Sequence, residues 1–310
     1  MSVASRTKVP LGLRLKAWWD GNQVKVNPRA AESFDEMGAA DGGGLGSEPW
    51  SDARIALAQD VWGEGRVAPG DDAYLCELVA PLALTEHMEM LDIGAGLGGA
   101  SRVVAAHFKC RVRGFEPDPR LGAAGALLTE ESKLAGRARI LSWDDPGFPP
   151  EPESVDCIFS KDFFYLVENK PSLLAKLANA LKRPGQLLFT DFVLASEDGP
   201  RGDVEAWTEV DPERPQLWTA ARYEKLFADL GLEHRISLDV SDRVKQTVVK
   251  GWAQFLRSDK RGGPGDHRAP AMVREVELWT RRMAALQSGQ LRVYRFFVLK
   301  RDEGQKLSAG

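Results

Sequence analysis

The chain is poor in residues that bind metals or form disulfides, with three cysteines and four histidines among 310 residues. Cys76, Cys110 and Cys157 are too few and too scattered for a disulfide framework, and they lack the spacing of a cysteine-based metal site. No run of about 18 apolar residues occurs, which argues against an integral membrane segment, and the first residues show no signal-peptide cleavage site. These absences predict a cytoplasmic protein without a bound metal.

The chain also lacks a large excess of positive or negative charge. The chain has 41 Lys and Arg against 45 Asp and Glu, a formal net charge of -4, so no long-range positive field would attract nucleic acid. Hydrophobic residues make up 43% of the chain, which suits one large domain with a sizeable core. We therefore expect a small molecule as the partner and no nucleic acid. No feature of the sequence specifies an oligomeric state.

A regular order of short apolar strands and helices begins near residue 87, after two short helices predicted at 51–62 and 71–83. Strands are predicted at 87–94, 110–117, 137–143, 154–160, 186–194, 232–240 and 291–300. Helices are predicted at about 98–109, 118–136, 169–182 and 219–230, with two more flanking the loop 258–267. This order is typical of a parallel sheet covered on both faces. The predicted fold is α/β, with a seven-stranded, mostly parallel, doubly wound sheet.

The two ends of the chain depart from this order. Residues 1–50 are expected to form an N-terminal arm that contains a glycine-rich loop at 38–46. Residues 51–310 then form one domain, with a cofactor-binding core at about 72–195, a helical cap at about 196–290 and a closing strand at 291–300. The arm includes a basic and apolar stretch at 11–21, which suits either a lid over the site or a contact with a membrane surface.

The sharpest local signal is the string LDIGAGLGGASRVVA at 91–105. Gly94, Gly96 and Gly99 follow the pattern GxGxxG between a predicted strand and a predicted helix. Glycines let the backbone turn sharply and let a ligand approach without a Cβ in the way. Because dinucleotides and other nucleosides both use this pattern, it predicts a nucleoside-binding turn without naming the ligand.

Side chains at three neighbouring strand ends narrow the choice of ligand. Asp92 stands two residues before Gly94, where a carboxylate suits a ligand with ammonium and sulfonium groups and suits a pyrophosphate badly. Glu116 ends the second strand, where it can accept both ribose hydroxyls. Trp143 and Asp144 follow the third strand, where a ring can stack on adenine and a carboxylate can accept from its amino group. These residues favour S-adenosylmethionine as the cofactor and disfavour a nucleotide-binding oxidoreductase.

At this point the sequence resembles the class I methyltransferases, and more narrowly the phosphoethanolamine N-methyltransferase group and its small-molecule relatives. The similarity covers roughly residues 60–300. The strings that carry it are VWGEGRVAPG (61–70), MLDIGAGLGGASRVVA (90–105), the closing strand and DCIFSKDFFYLVENKPSLLAKLANALKRPGQLLFTDFV (156–193).

The resemblance implies site residues. It implies cofactor contacts for Asp92, Gly94, Gly96, Glu116, Asp144 and Ser160, and it places Gly70 beside the methionine end of the cofactor. Asp162 and Phe192 match residues that face the substrate in relatives. Relatives that methylate phosphoethanolamine also carry a tyrosine and a histidine where this chain has Ser51 and Leu166. The resemblance therefore implies a methyltransferase and argues against phosphoethanolamine as its acceptor.

The acceptor is expected to be a small amine. Asp162 can hold an ammonium group or accept its proton, and Tyr165 is an alternative proton acceptor. Trp207 and Trp218 lie in an aromatic cap region, and aromatic faces stabilise cationic methylated amines. An O- or S-methyltransferase acting on a small metabolite is the near alternative, because the cap sets the acceptor. A cofactor-binding scaffold without turnover is a third possibility.

Overall fold

The computed structural model describes residues 49–261 and 266–302. The predicted N-terminal arm and glycine-rich loop lie almost wholly outside the described residues. Two helices come first, α1 (Asp52–Trp62) and α2 (Asp72–Val79). The Asp71 side chain accepts the backbone N–H of Tyr74 at 2.9 Å, so Asp71 is the N-cap of α2, where a short acceptor side chain satisfies a free helix donor.

The described part of the chain continues as an alternation of strands and helices, which confirms the predicted α/β order. The elements are β1 (Glu89–Ile93), α3 (Gly99–Phe108), β2 (Arg111–Glu116), α4 (Pro119–Glu131), β3 (Ala138–Ser142), β4 (Val155–Lys161), α5 (Lys170–Ala180) and β5 (Leu181–Leu194). They are followed by α6 (Gly202–Thr208), β6 (Trp218–Thr219), α7 (Ala220–Asp229), β7 (Glu233–Asp239), α8 (Ser241–Arg257), α9 (Ala269–Gln287) and β8 (Leu291–Lys300).

Seven long strands form one mixed sheet in the order β3-β2-β1-β4-β5-β8-β7. Strands β1 to β5 pair in parallel, whereas β8 runs antiparallel between β5 and β7. The two-residue β6 pairs with the end of β5. This arrangement confirms the predicted mostly parallel, doubly wound sheet. Because the chain leaves β1 and β4 toward opposite sides of the sheet, a crevice opens at their carboxyl ends, where ligands bind in such folds.

Both faces of the central strands β1, β4 and β5 are buried, as the apolar strands predict. Alternate residues of β4 point to opposite faces, so Ile158 joins the core under α5 and α7, while Cys157 and Phe159 join the core under α2 and α3. No helix among the described residues is long and apolar enough to cross a bilayer.

Strand β5 and the cap differ from the sequence prediction. Strand β5 starts at Leu181, five residues earlier than expected, because Leu181 already pairs with Val155 of β4. No individual helix is predicted for the stretch 196–218 at the start of the cap, but α6 lies there. Its apolar residues Val204 and Trp207 are buried. The helix is only seven residues long, which is too short for a hydrophobic period to be read with confidence from sequence.

Candidate active site

The glycine turn after β1 takes backbone conformations that favour glycine. Gly94, Gly96 and Gly98 have φ values of +73°, +56° and +75°, in the left-handed region that side chains disfavour. A Cβ at Gly94 would lie 2.1 Å from Cγ of Phe163. The first glycine therefore lets the aromatic ring after β4 lie directly against the turn.

The third glycine of the motif, Gly99, accommodates a piece of backbone. Its N–H donates to the carbonyl of Gly65 at 2.9 Å, and a Cβ at Gly99 would lie 2.4 Å from that oxygen. The N–H of Gly65 in turn donates to Oε1 of Gln59 at 2.9 Å. The 61–70 segment is thus fastened to the start of α3, which explains why it accompanies the glycine motif in the sequence.

Glu116, the last residue of β2, is tied to the same turn. Its Oε2 accepts the N–H of Gly96 at 2.7 Å, and its Oε1 accepts the N–H of Asp118 at 2.8 Å. Burial raises the pKa of this carboxyl to about 8, although the two amide donors favour its charged form. Because a carboxylate oxygen has two lone pairs, each oxygen can still accept one more hydrogen bond.

A cavity of about 520 Å³ opens from this turn, within the range of small-molecule sites. Its lining begins at Gly94, Gly96 and Glu116 and reaches the cap. Seven of the residues singled out from sequence line it: Gly94, Gly96, Glu116, Trp143, Asp162, Tyr165 and Phe192. Trp143 and Phe163 pack with their ring centroids 5.9 Å apart, so aromatic rings form one wall next to the turn. Leu166 also lines the cavity.

Two other predicted cofactor residues surround a smaller cavity of about 60 Å³ behind the turn, lined by Gly70 and Asp92 among others. Asp92 is buried, and its Oδ2 accepts the Ser101 hydroxyl at 2.6 Å. Burial raises the pKa of Asp92 to about 6. The structure therefore places this carboxylate between β1 and α3, beneath the glycine turn rather than on the wall of the main cavity.

Four predicted residues do not line either cavity. Ser160 is buried and donates to the carbonyl of Ile93 at 2.7 Å, so it joins β4 to β1. Asp144 is exposed. Trp207 is buried behind the cavity, where its ring packs on Tyr165 and Phe192. Trp218 lies in the core under α7, with the guanidinium of Arg222 4.0 Å from its ring centroid.

Asp162 follows β4 with φ +53°, and both of its oxygens are engaged. Oδ1 accepts the Thr190 hydroxyl at 2.7 Å, and Oδ2 accepts the Lys161 ammonium at 2.6 Å. The neighbouring Tyr165 is buried, and this burial raises the pKa of its phenol well above the ordinary value. Tyr165 is therefore a neutral phenol near pH 7, which suits hydrogen bonding better than proton acceptance.

The far end of the cavity carries charged residues that were not predicted from the sequence. Arg54 of α1 donates to Glu275 at 2.9 Å and lies 3.7 Å from Glu213. Arg282 donates to the buried Asp211 at 2.8 Å. Arg54, Glu213, Glu275 and Arg282 all line the cavity.

Helical spacing was the available signal for these residues. Glu275, Trp279 and Arg282 stand at positions i, i+4 and i+7 of α9, on one face of the helix. Among the described residues, no group of His, Cys, Asp and Glu has the arrangement of a metal site.

A family model described as a methyltransferase domain matches residues 70–235, more than half of the chain. This match runs from the segment before α2 to β7. It includes the glycine turn, Glu116 and the whole of β4 and β5.

Individual relatives agree with this match. Phosphoethanolamine N-methyltransferase 3 of Arabidopsis thaliana is 22% identical over 258 residues, which cover 83% of this chain and 51% of that protein. The phosphoethanolamine N-methyltransferase of Plasmodium falciparum is 24% identical over 207 residues, covering 66% of this chain and 76% of that protein.

Among solved structures, Haemonchus contortus phosphoethanolamine N-methyltransferase 2 in complex with S-adenosyl-L-methionine is similar with a TM-score of 0.72 and 20% identity. The match covers 80% of this chain and 57% of that chain. The present chain therefore spans about half the length of the Arabidopsis and Haemonchus proteins. At 20% sequence identity, this structural similarity shows that the two proteins share a fold and nothing further.

Proposed function

The chain belongs to the class I S-adenosylmethionine-dependent methyltransferases, and from this premise we propose that it transfers a methyl group to the nitrogen of a small amine. The observation that carries the proposal is the continuity of one cavity, which extends from the glycine turn and Glu116 to an enclosed wall of aromatic and charged residues. A cofactor and a small acceptor can meet in such a space without water between them.

The turn end of this cavity is suited to the cofactor. Glu116 keeps one acceptor site on each oxygen, which matches the two hydroxyls of a ribose. Gly96 leaves the backbone open to a ligand, Gly94 makes room for the Phe163 ring, and Trp143 offers a ring for the adenine. Asp144, at the exposed rim, is proposed to accept from the adenine amino group.

The remaining predicted cofactor residues fit a supporting role. Asp92 and Gly70 shape the smaller cavity beneath the turn, and Ser160 holds β4 against β1. We propose that these three fix the turn that receives the methionine end of the cofactor. When bound, the cofactor supplies a methyl group on a positively charged sulfur, so no further activation of the methyl donor is needed.

The residues of the chain must then orient the acceptor nitrogen and receive its proton. Asp162 lies at the carboxyl end of β4, which faces the crevice of the sheet, and its engagement by Thr190 and Lys161 fixes the direction of its oxygens. We assign to Asp162 the role of orienting the amine and accepting its proton. Tyr165 and Phe192 wall the same space, and Trp207 supports both rings from behind.

The acceptor class follows from the walls of the cavity. Aromatic rings attract an ammonium nitrogen, and full methylation makes its positive charge permanent. Leu166 is apolar where relatives that methylate phosphoethanolamine carry a histidine, and Ser51 caps α1 by accepting the N–H of Arg54. We therefore expect phosphoethanolamine to be a poor acceptor and a different small amine to be the substrate.

A methyl-transfer assay tests this function. The full-length protein is incubated with methyl-labelled S-adenosylmethionine and a panel that contains phosphoethanolamine, other primary and secondary amines, thiols and hydroxy acids. We expect label on the nitrogen of at least one amine. Transfer to thiols or hydroxyl compounds with none to amines would establish the O- or S-methyltransferase alternative and refute the amine assignment.

A further inference from the structure

The far end of the cavity holds three carboxylates against two guanidinium groups. Asp211, Glu213 and Glu275 lie around Arg54 and Arg282. When all five are ionised, this cluster carries one excess negative charge. An enclosed site that is one positive charge short of neutrality favours a cationic ligand, because burial makes an uncompensated charge costly.

We infer that Glu213 is the residue that recognises the cationic nitrogen of the acceptor and thereby sets the specificity of the site for amines. The inference rests on the proposed function and concerns a residue that neither the glycine motif nor the strand ends point to. Glu213 lines the main cavity, and its side chain keeps 17% of its surface accessible there.

Each oxygen of the other carboxylates at this end of the cavity already accepts a hydrogen bond. Both oxygens of Glu275 are bonded, one to the indole N–H of Trp279 at 3.1 Å and one to Arg54 at 2.9 Å. Both oxygens of Asp211 are bonded as well, Oδ1 to the N–H of Glu213 and Oδ2 to Arg282. Asp211 is also fully buried and does not line the cavity.

Asp162 is unsuited to this role for a different reason. Its charge is balanced by the ammonium of Lys161 at 2.6 Å, so it adds no net negative charge to the cavity. It can orient a nitrogen or accept a proton, but the preference for a cation over a neutral molecule of the same shape must come from elsewhere.

Glu213 differs from Glu275 and Asp211 because one of its carboxylate oxygens accepts no hydrogen bond within the described ranges. Its Oε1 accepts the indole N–H of Trp50 at 3.1 Å. Its Oε2 lies 3.7 Å from the Arg54 guanidinium, beyond hydrogen-bond distance, and accepts no hydrogen bond from any residue of the two described ranges. Burial raises the pKa of Glu213, with Asp211 adding to the shift and Arg54 opposing it. A bound cation would favour the charged carboxylate and so would be drawn to this oxygen.

The aromatic and charged residues next to Glu213 also suit a cationic ligand. Trp50 and Trp279 line the cavity with Glu213. Each ring already holds a guanidinium against one face, Arg54 at 3.9 Å from the Trp50 centroid and Arg282 at 4.6 Å from the Trp279 centroid, so this wall is built of groups that stabilise cations. The opposing cations, Arg54 and Arg282, are each committed to a carboxylate other than Glu213 by a hydrogen bond of 2.9 Å or less. Glu213 is therefore the carboxylate of this wall that is available to a ligand.

The test compares two probes of the same shape, choline and its uncharged carbon analogue 3,3-dimethylbutan-1-ol. Their binding to the full-length protein is measured by calorimetry or ligand-observed NMR, with and without S-adenosylhomocysteine. We expect choline to bind at least about tenfold more tightly, a difference of about 1.4 kcal/mol. Equal binding of the two probes, including no detectable binding of choline at millimolar concentration, overturns the inference.

Variants test whether the preference for choline depends on the charge of Glu213. Glu213→Gln keeps an acceptor for the Trp50 indole but removes the charge, and we expect it to abolish the preference for choline. Glu213→Asp keeps the charge and should retain part of the preference, which guards against a loss caused by misfolding. Glu209→Gln, an exposed position in the same segment, is the matched control and should behave as wild type. An undiminished preference in Glu213→Gln would also overturn the inference.

The proposed function is tested separately by the same titrations. Failure of S-adenosylhomocysteine to bind would count against the methyltransferase function, while the choline comparison without it still decides the role of Glu213. Binding of S-adenosylhomocysteine without a choline preference would refute only the role of Glu213.

Discussion

The backbone N–H of Gly96 donates to the carboxylate of Glu116 at 2.7 Å. Through this bond the glycine turn after β1 and the end of β2 form a single polar surface. Gly96 and Glu116 line the same cavity, so we expect the conformation of Gly96 and the charge of Glu116 to affect the same binding event.

The first prediction is that cofactor affinity rises with pH. Burial raises the pKa of Glu116 to about 8, and its charged form is the better acceptor for ribose hydroxyls. Binding of S-adenosylmethionine should therefore tighten as the pH rises through about 8, with release of a proton. Calorimetry in buffers of different ionisation enthalpy measures both the affinity and the number of protons released. Glu116→Gln should weaken binding and flatten the pH dependence; an unchanged profile in this variant would assign the proton to another group.

The second prediction concerns stability without ligand. The pKa of Asp92 is raised to about 6, that of Glu116 to about 8, and that of Asp191 is also raised, in each case mainly by burial. A raised folded-state pKa means that the folded protein binds more protons than the unfolded chain between the two values. The free energy of unfolding should therefore fall as the pH rises from about 4 to about 8.

Urea unfolding across this pH range measures the effect. Asp92→Asn should reduce the slope, because the group that titrates is gone while an oxygen remains to accept the Ser101 hydroxyl. Asp198→Asn, at an exposed position, is the control. Stability that increases over the same range in the wild type would contradict the prediction.

The third prediction is that Gly96→Val prevents cofactor binding while the domain still folds. Gly96 has φ +56°, and a Cβ there would lie 3.2 Å from Cγ2 of Val67, so a branched side chain is strained by about 1–3 kcal/mol and stands in the approach path of the ligand. Gly136→Val is the control, because a Cβ at Gly136 meets nothing within 4 Å. Circular dichroism checks folding. Wild-type affinity in Gly96→Val would show that the ligand does not cross the turn.

The fourth prediction separates Asp162 from the cofactor site. Asp162→Asn leaves the Lys161 ammonium without its carboxylate partner and removes a proton acceptor, so turnover on an amine should fall by about 10²-fold or more. Cofactor affinity should change little. Asp144→Asn is the matched control on the cofactor side, where a change would appear in affinity and not in the maximal rate. Lost cofactor binding with normal turnover at saturation would move Asp162 out of the acceptor site.

The sequence predicts the sheet well, and it places Gly94, Gly96 and Glu116 together at one end of the cavity, because both depend on local patterns. A run such as LDIGAG carries a strand, its end and a turn within six residues, and Glu116 follows at the end of the next strand. The seven long strands were all anticipated, with the largest error at the start of β5. There the pairing of Leu181 with Val155 overrides the helical pattern that precedes it.

The far end of the cavity was not predictable in the same way. The far end is lined by residues from separate parts of the chain, and only the folded chain brings them together. They are Trp50 before α1, Arg54 in α1, Glu213 in the loop after α6 and Arg282 in α9. Trp218 was expected near the substrate on composition alone, but it pairs with β5 through Val193 and packs into the core under α7. An aromatic residue in a cap region does not reveal which side of the cap it faces.

The measurement that tests the account most directly is calorimetric titration of the full-length protein with S-adenosylmethionine, with NAD as the comparison ligand. We expect S-adenosylmethionine to bind and NAD not to bind, and we expect Glu116→Ala to weaken S-adenosylmethionine by about 1–3 kcal/mol, the scale for leaving polar groups unpaired. Binding of NAD without S-adenosylmethionine, or equal affinity of wild type and Glu116→Ala for S-adenosylmethionine, would contradict the assignment of this cavity.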